Sequence, residues 1–141
     1  MNRGMALADI FIVVLAIAIL AIIAGPLFLG ASHGVREAAL IRDLQTVREQ
    51  IRRFKQEHYG ILPGEGGRNI TAQLTRRTDI EGRIAPHGIR GPYLPVFPVN
   101  PFTGTNTVES GTGSPGGGDH GWYYNTRTSR FSPDDDAHSD L

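Results

Sequence analysis

Twenty consecutive residues, Ile10 to Leu29, carry no charged or strongly polar side chain. Apart from Gly25 and Pro26 every position is apolar, and fourteen of the residues are Leu, Ile, Val or Phe. At ~1.5 Å per residue a helix of this length matches a ~30 Å hydrocarbon core. On a membrane-insertion scale those fourteen side chains favour insertion by about 4–8 kcal/mol. Asp9, at the edge of the run, opposes this by at most ~3 kcal/mol. A domain this small could not cover every face of such a helix, so a lipid or protein environment is expected for it. A cleaved secretory signal is a poorer fit, since its apolar region is about 7–15 residues and ends in a small-x-small site. Leu29-Gly30-Ala31 does not supply one. Arg3 precedes the run and Arg36 and Arg42 follow it, so flanking charge leaves orientation ambiguous. The shortness of the leader favours a cytoplasmic N-terminus.

Beyond the run, Leu40, Leu44, Val47, Ile51 and Phe54 recur at spacings of 4, 3, 4 and 3. This is the stripe of an amphipathic helix packed on a domain, or alternatively a short coiled-coil seam. Arg42, Asp43, Arg48, Glu49, Arg52, Arg53 and Lys55 fill the intervening positions. A helix from about Asp9 to His58 follows, some fifty residues or roughly 75 Å long. Gly25 and Pro26 are expected to interrupt it with a kink or a locally melted turn, because proline lacks the amide donor and crowds the carbonyl of Ile22. Tyr59-Gly60 and Leu62-Pro63-Gly64 end it.

From Gly60 onward the chain holds most of its 18 glycines and 9 prolines, so this half is expected to be rich in turns. Asn69 to Arg77 is a candidate short helix and Thr105 to Val108 a candidate strand. Gly121 to Asn125 and Ser129 to Ser132 read as two strands of a hairpin. The expected fold class is α+β: a long N-terminal helix, membrane-embedded in its first half and amphipathic in its second, packed on a small antiparallel sheet. The expected organisation is a leader at 1–4, a transmembrane and polymerisation helix at 5–30, an amphipathic helix at 31–60, a loop-rich head at 61–132 and an acidic tail at 133–141.

Net charge is zero, with 14 basic and 14 acidic residues, so nucleic acid is not an expected partner. The absence of cysteine excludes disulfides and thiolate metal sites. His33, His58, His87, His120 and His138 show no metal-ligand spacing on one helix face. Gly113 to Gly118 lacks the Lys-Ser/Thr of a phosphate loop, and no catalytic constellation is legible. Asp134, Asp135 and Asp136, with Asp119 and Asp140, could hold a hard cation such as calcium through oxygen ligands, or could form a solvated tail.

The stretch Arg3-Gly4-Met5-Ala6-Leu7-Ala8-Asp9-Ile10-Phe11-Ile12-Val13-Val14 resembles the prepilin leader of type IV pilins and type II secretion pseudopilins. In that family a membrane peptidase cuts after the leader glycine and methylates the new amino terminus. An acidic residue stands at the fifth mature position. Gly4 matches the cleavage glycine, Met5 the new terminus and Asp9 the acidic position. Pro26 falls at the family's helix-breaking proline. The family commonly reads Phe-Thr-Leu-Ile-Glu where this chain has Met-Ala-Leu-Ala-Asp. Gly91-Pro92-Tyr93-Leu94, Pro98-Val99-Asn100-Pro101-Phe102 and Gly121-Trp122-Tyr123-Tyr124 extend the resemblance to the major, G-type pseudopilins.

The resemblance implies a non-enzymatic filament subunit for type II secretion, anchored once in a bacterial inner membrane with its head in the periplasm. Its implied partners are other copies of itself in a helical filament, the prepilin peptidase, the inner-membrane assembly platform and membrane lipid. It also implies calcium in a C-terminal loop. In the filament interior Asp9 would pair with the Met5 amine of a neighbouring subunit, since an unpaired buried carboxylate costs several kcal/mol. A type IV pilin for adhesion, motility or DNA uptake and a signal-anchored periplasmic protein are the alternatives.

Overall fold

The structure, a computed structural model, describes the side chains of residues 10–18 and 32–141. It is a mixed α/β chain. Helix α1 runs Arg3–Glu57, a 3-10 turn follows at Glu65–Gly67, and α2 is Ile70–Thr75. Three strands complete it: β1 Val108–Gly111, β2 Trp122–Asn125 and β3 Phe131–Pro133. The chain divides into two compact units, Met1–Glu37 and Ala38–Leu141.

In the second unit, α1 supplies the expected stripe. Leu40, Leu44, Val47, Ile51 and Phe54 are each 0–5% exposed. They share one core with Ile70 and Leu74 of α2, with Tyr93, Leu94 and Phe97 of the connecting loops, and with Trp122, Tyr124 and Phe131 of the sheet. The stripe is therefore a packing face within this chain, not a coiled-coil seam. Trp122 and Phe131 stack at 5.3 Å between ring centroids, and Phe54 stacks on His58 at 3.8 Å. Burying one such ring contributes roughly 1.5–3 kcal/mol.

α1 stops where Tyr59 and Gly60 take positive φ of 53° and 93°. The Gly60 amide then reaches back to the Lys55 carbonyl at 2.8 Å, closing the last turn. The expected short helix at 69–77 is α2, shortened at each end. Its N-cap is Asn69, whose side chain accepts from the Ala72 amide at 2.8 Å.

Buried polar groups tie the loops together. His58 donates from Nδ1 to the Phe54 carbonyl at 2.7 Å, and its Nε2 meets Thr78 Oγ1 at 2.9 Å. Gln73 accepts from the Gly64 amide and donates to the Gly82 carbonyl. Asn100, inside the Pro98–Phe102 segment, donates to the Gly121 carbonyl at 2.8 Å and accepts from the Phe102 amide at 2.8 Å. Full satisfaction is what lets such groups sit in a core.

The sheet differs from expectation in β1, which begins at Val108 where the expected strand ended. β2 and β3 are the expected antiparallel hairpin, with Tyr124 opposite Phe131 and Trp122 opposite Pro133. β1 instead runs parallel to β2, with Val108 opposite Trp122 and Gly111 opposite Asn125, so the sheet is mixed and not wholly antiparallel. The physical reason lies in segment 112–121. It carries the chain back to the start of β2 instead of turning it tightly, and Gly116 and Gly118 at φ of 114° and 76° give it the necessary backbone freedom.

Candidate functional sites

Two places are candidates for function, one in each unit. In the first, the side chains of the described α1 segment from Ile10 to Ile17 are open to solvent: Ile10 is 60% exposed, Phe11 70% and Leu15 52%. Successive helical residues are ~100° apart, so this run presents apolar surface on every face. Exposed apolar surface on that scale marks a lipid or protein contact. Gly4, Met5, Asp9 and Pro26 lie outside the described residues, as does the expected kink at Gly25-Pro26. Among the described residues no helix is long and apolar enough to cross a membrane. The sequence run Ile10–Leu29 continues beyond those residues.

The second place is the end of the sheet where the acidic segment leaves β3. The segment begins inside the fold and becomes more exposed from Asp136 onward. Asp134 is 1% exposed, and its carboxylate accepts from the amides of Gly116 at 3.0 Å, Gly117 at 3.3 Å and His120 at 3.3 Å. Its own amide donates to the Gly121 carbonyl and its carbonyl accepts from the Gly118 amide. Asp134 thus fastens the return loop between β1 and β2. Asp135 faces another way, pairing with His138 and accepting from Asn100 Nδ2 at 3.3 Å. His138 in turn lies against Phe102, 4.1 Å between ring centroids. Arg48 and Arg130 hold the last residues. Arg48 donates to the carbonyls of Phe131 and Leu141, and Arg130 to those of Asp140 and Leu141.

The three aspartates read as a calcium group therefore do not converge. Asp135 turns to His138 and Asn100, so the expected all-oxygen cage is not assembled from Asp134, Asp135 and Asp136. Among the described residues, the group of three whose ligand atoms come within 4.8 Å of one another is Glu109, His120 and Asp134. Glu109 carries no local signal as a ligand and His120 has no metal-ligand spacing to another histidine; the parallel pairing of β1 with β2 brings them together.

Another polar cluster is structural. Glu57 accepts from Arg53 Nε at 2.9 Å and from the Tyr93 hydroxyl at 2.8 Å. The Arg53 hydrogen bond holds the Glu57 carboxyl below the usual carboxylate range, against opposition from burial. Burial raises the Tyr93 phenol. The cluster sits where α1 meets the loop carrying Tyr93 and fastens the two together. No family model, characterised protein or solved structure matches this chain.

Proposed function

We propose that this chain is a pseudopilin-type subunit that polymerises into a periplasmic filament serving type II protein secretion. One observation carries the reading: from Ile10 to Ile17, α1 offers apolar side chains that the folded chain leaves uncovered. A bilayer would cover them before assembly, and the same segments of neighbouring copies would cover them afterwards. The motif Gly4-Met5 followed by Asp9 supports this reading, since it supplies a cleavage point and one charge able to register adjacent helices. The head would then be a compact periplasmic body, and the protein would act by polymerising with no reaction of its own. The peptidase, the assembly platform and lipid are its partners under this reading.

Mass spectrometry of the membrane-extracted protein tests it. The expected mature chain begins at a methylated Met5, and Gly4→Leu blocks the cut. Asp9→Ala is expected to be processed and inserted but to yield no sheared or cross-linked filament, while Asp9→Glu assembles. A chain retaining Met1, or one starting near Ser32, would overturn the proposal in favour of a plain membrane-anchored periplasmic protein.

A further inference from the structure

We propose that Glu109, His120 and Asp134 form a binding site for a divalent transition-metal ion of the zinc class. The proposal does not depend on filament assembly. It rests on where the fold puts three donors.

Val108 of β1, Trp122 of β2 and Pro133 of β3 stand in one row across the sheet. Glu109 follows the first, His120 precedes the second by two residues, and Asp134 follows the third. The three donors thus fall at the same end of the sheet, Glu109 within β1 and the other two just outside β2 and β3. His120 Nδ1 is buried and has no hydrogen-bond partner. It lies 3.7 Å from Glu109 Oε2 and 3.8 Å from Asp134 Oδ2.

A ring N–H beside a carboxylate would ordinarily close to about 2.9 Å. Ligand atoms on a shared tetrahedral ion, with bonds of roughly 2.0–2.2 Å, stand about 3.3–3.6 Å apart. The spacing here is nearer the second arrangement, and a small movement of the half-exposed Glu109 side chain would complete it. Asp134 is held ready by the Gly116, Gly117 and His120 amides, the kind of outer support that orients a ligating carboxylate. The imidazole also lines an open cavity of about 560 Å³ beside Thr107 and Val108, which gives an ion a way in.

The donor set selects the metal. Calcium takes six to eight oxygen ligands, and this group offers two carboxylates and a nitrogen. Imidazole with carboxylates suits zinc and its first-row neighbours. Three protein ligands leave a remaining position to water. An ion here would clasp β1, the return loop and the segment after β3, three pieces far apart in sequence.

The test uses the full-length protein in detergent, stripped of metal and titrated with Zn²⁺ by calorimetry and with Co²⁺ by visible absorption. Expected are one ion per chain and a cobalt spectrum of low coordination number. Zn²⁺ should also raise the melting temperature, and millimolar Ca²⁺ should not displace it. His120→Ala is expected to weaken Zn²⁺ binding by roughly 100-fold or more, and Glu109→Gln by at least about 10-fold. Glu109 is exposed, so its variant keeps the test open should His120→Ala fold poorly; circular dichroism checks both. No stoichiometric binding, unchanged affinity in a folded variant, or preference for Ca²⁺ over Zn²⁺ would each overturn the site.

Discussion

The Ile10–Ile17 segment of α1 and the Leu40–Phe54 segment belong to one helix and are both rich in apolar residues, yet they meet solvent in opposite ways. From Leu40 to Phe54 the apolar positions fall on one stripe, and the chain's own loops and strands cover it. From Ile10 to Ile17 they fall on all sides, and the side chains stand open. Arrangement, not content, decides. A stripe can be satisfied by one packing partner, whereas an all-round apolar surface needs a surrounding medium or a ring of neighbours.

The largest expected effect separates the two directly. Phe54→Ala removes a fully buried ring stacked on His58 and should cost about 3–5 kcal/mol of head stability. Phe11→Ala, on a side chain 70% exposed, should shift the same denaturation midpoint by less than about 0.5 kcal/mol. Equal losses from the two would erase the contrast.

The converse substitution follows in size. Val14→Lys places a charge in the middle of the described apolar segment and should weaken membrane partitioning by about 2.5–3.5 kcal/mol. The denaturation midpoint of the head should stay where it was. Flotation with liposomes measures the first quantity. Undiminished flotation would show that this segment is covered by protein and not by lipid.

The smallest effect sharpens the comparison at the point where α1 leaves the core. Glu57 is held below the usual carboxylate range, so between the two values the folded chain binds fewer protons than the unfolded one. Its contribution is present in full above that range and is lost as pH falls through it to the lowered value. Glu57→Gln should cost about 1 kcal/mol or less near pH 7, and less as the pH falls below the usual carboxylate range, read from paired denaturation curves. A cost that persists in acid would mean that packing, not charge, holds this junction.

The two regions also differ in how far sequence carried them. The stripe was legible because helical periodicity reports burial without knowledge of the partner: every residue of the 4, 3, 4, 3 pattern is buried. The β2–β3 hairpin was legible from its aromatic run. β1 was not, either in position or in direction. Its first residue, Val108, was expected to be the last of a strand at 105–108, and its pairing depends on a return loop with no local signature. Asp134 was singled out for its charge, and what it does in the fold is to gather backbone amides. Glu109 and His120 lie eleven residues apart with a glycine-rich loop between them, and no spacing rule joins them. The all-round apolar run was read directly from composition, but what surrounds it is a property of other molecules.

The order in which the chain is made bears on the stripe. Arg48 on α1 reaches the Phe131 carbonyl across 83 residues of sequence, and Phe131 and Trp122 are among the last parts of the core to be synthesised. At ordinary rates of translation the stripe precedes that partner by roughly 4–17 s. A preformed α1 would spend that interval with Leu44, Val47 and Phe54 uncovered. Long-range pairing of this kind slows folding and leaves intermediates open to association. The waiting time falls on the amphipathic part of the helix, so a nascent chain is vulnerable at a stretch that is well protected once the fold is complete.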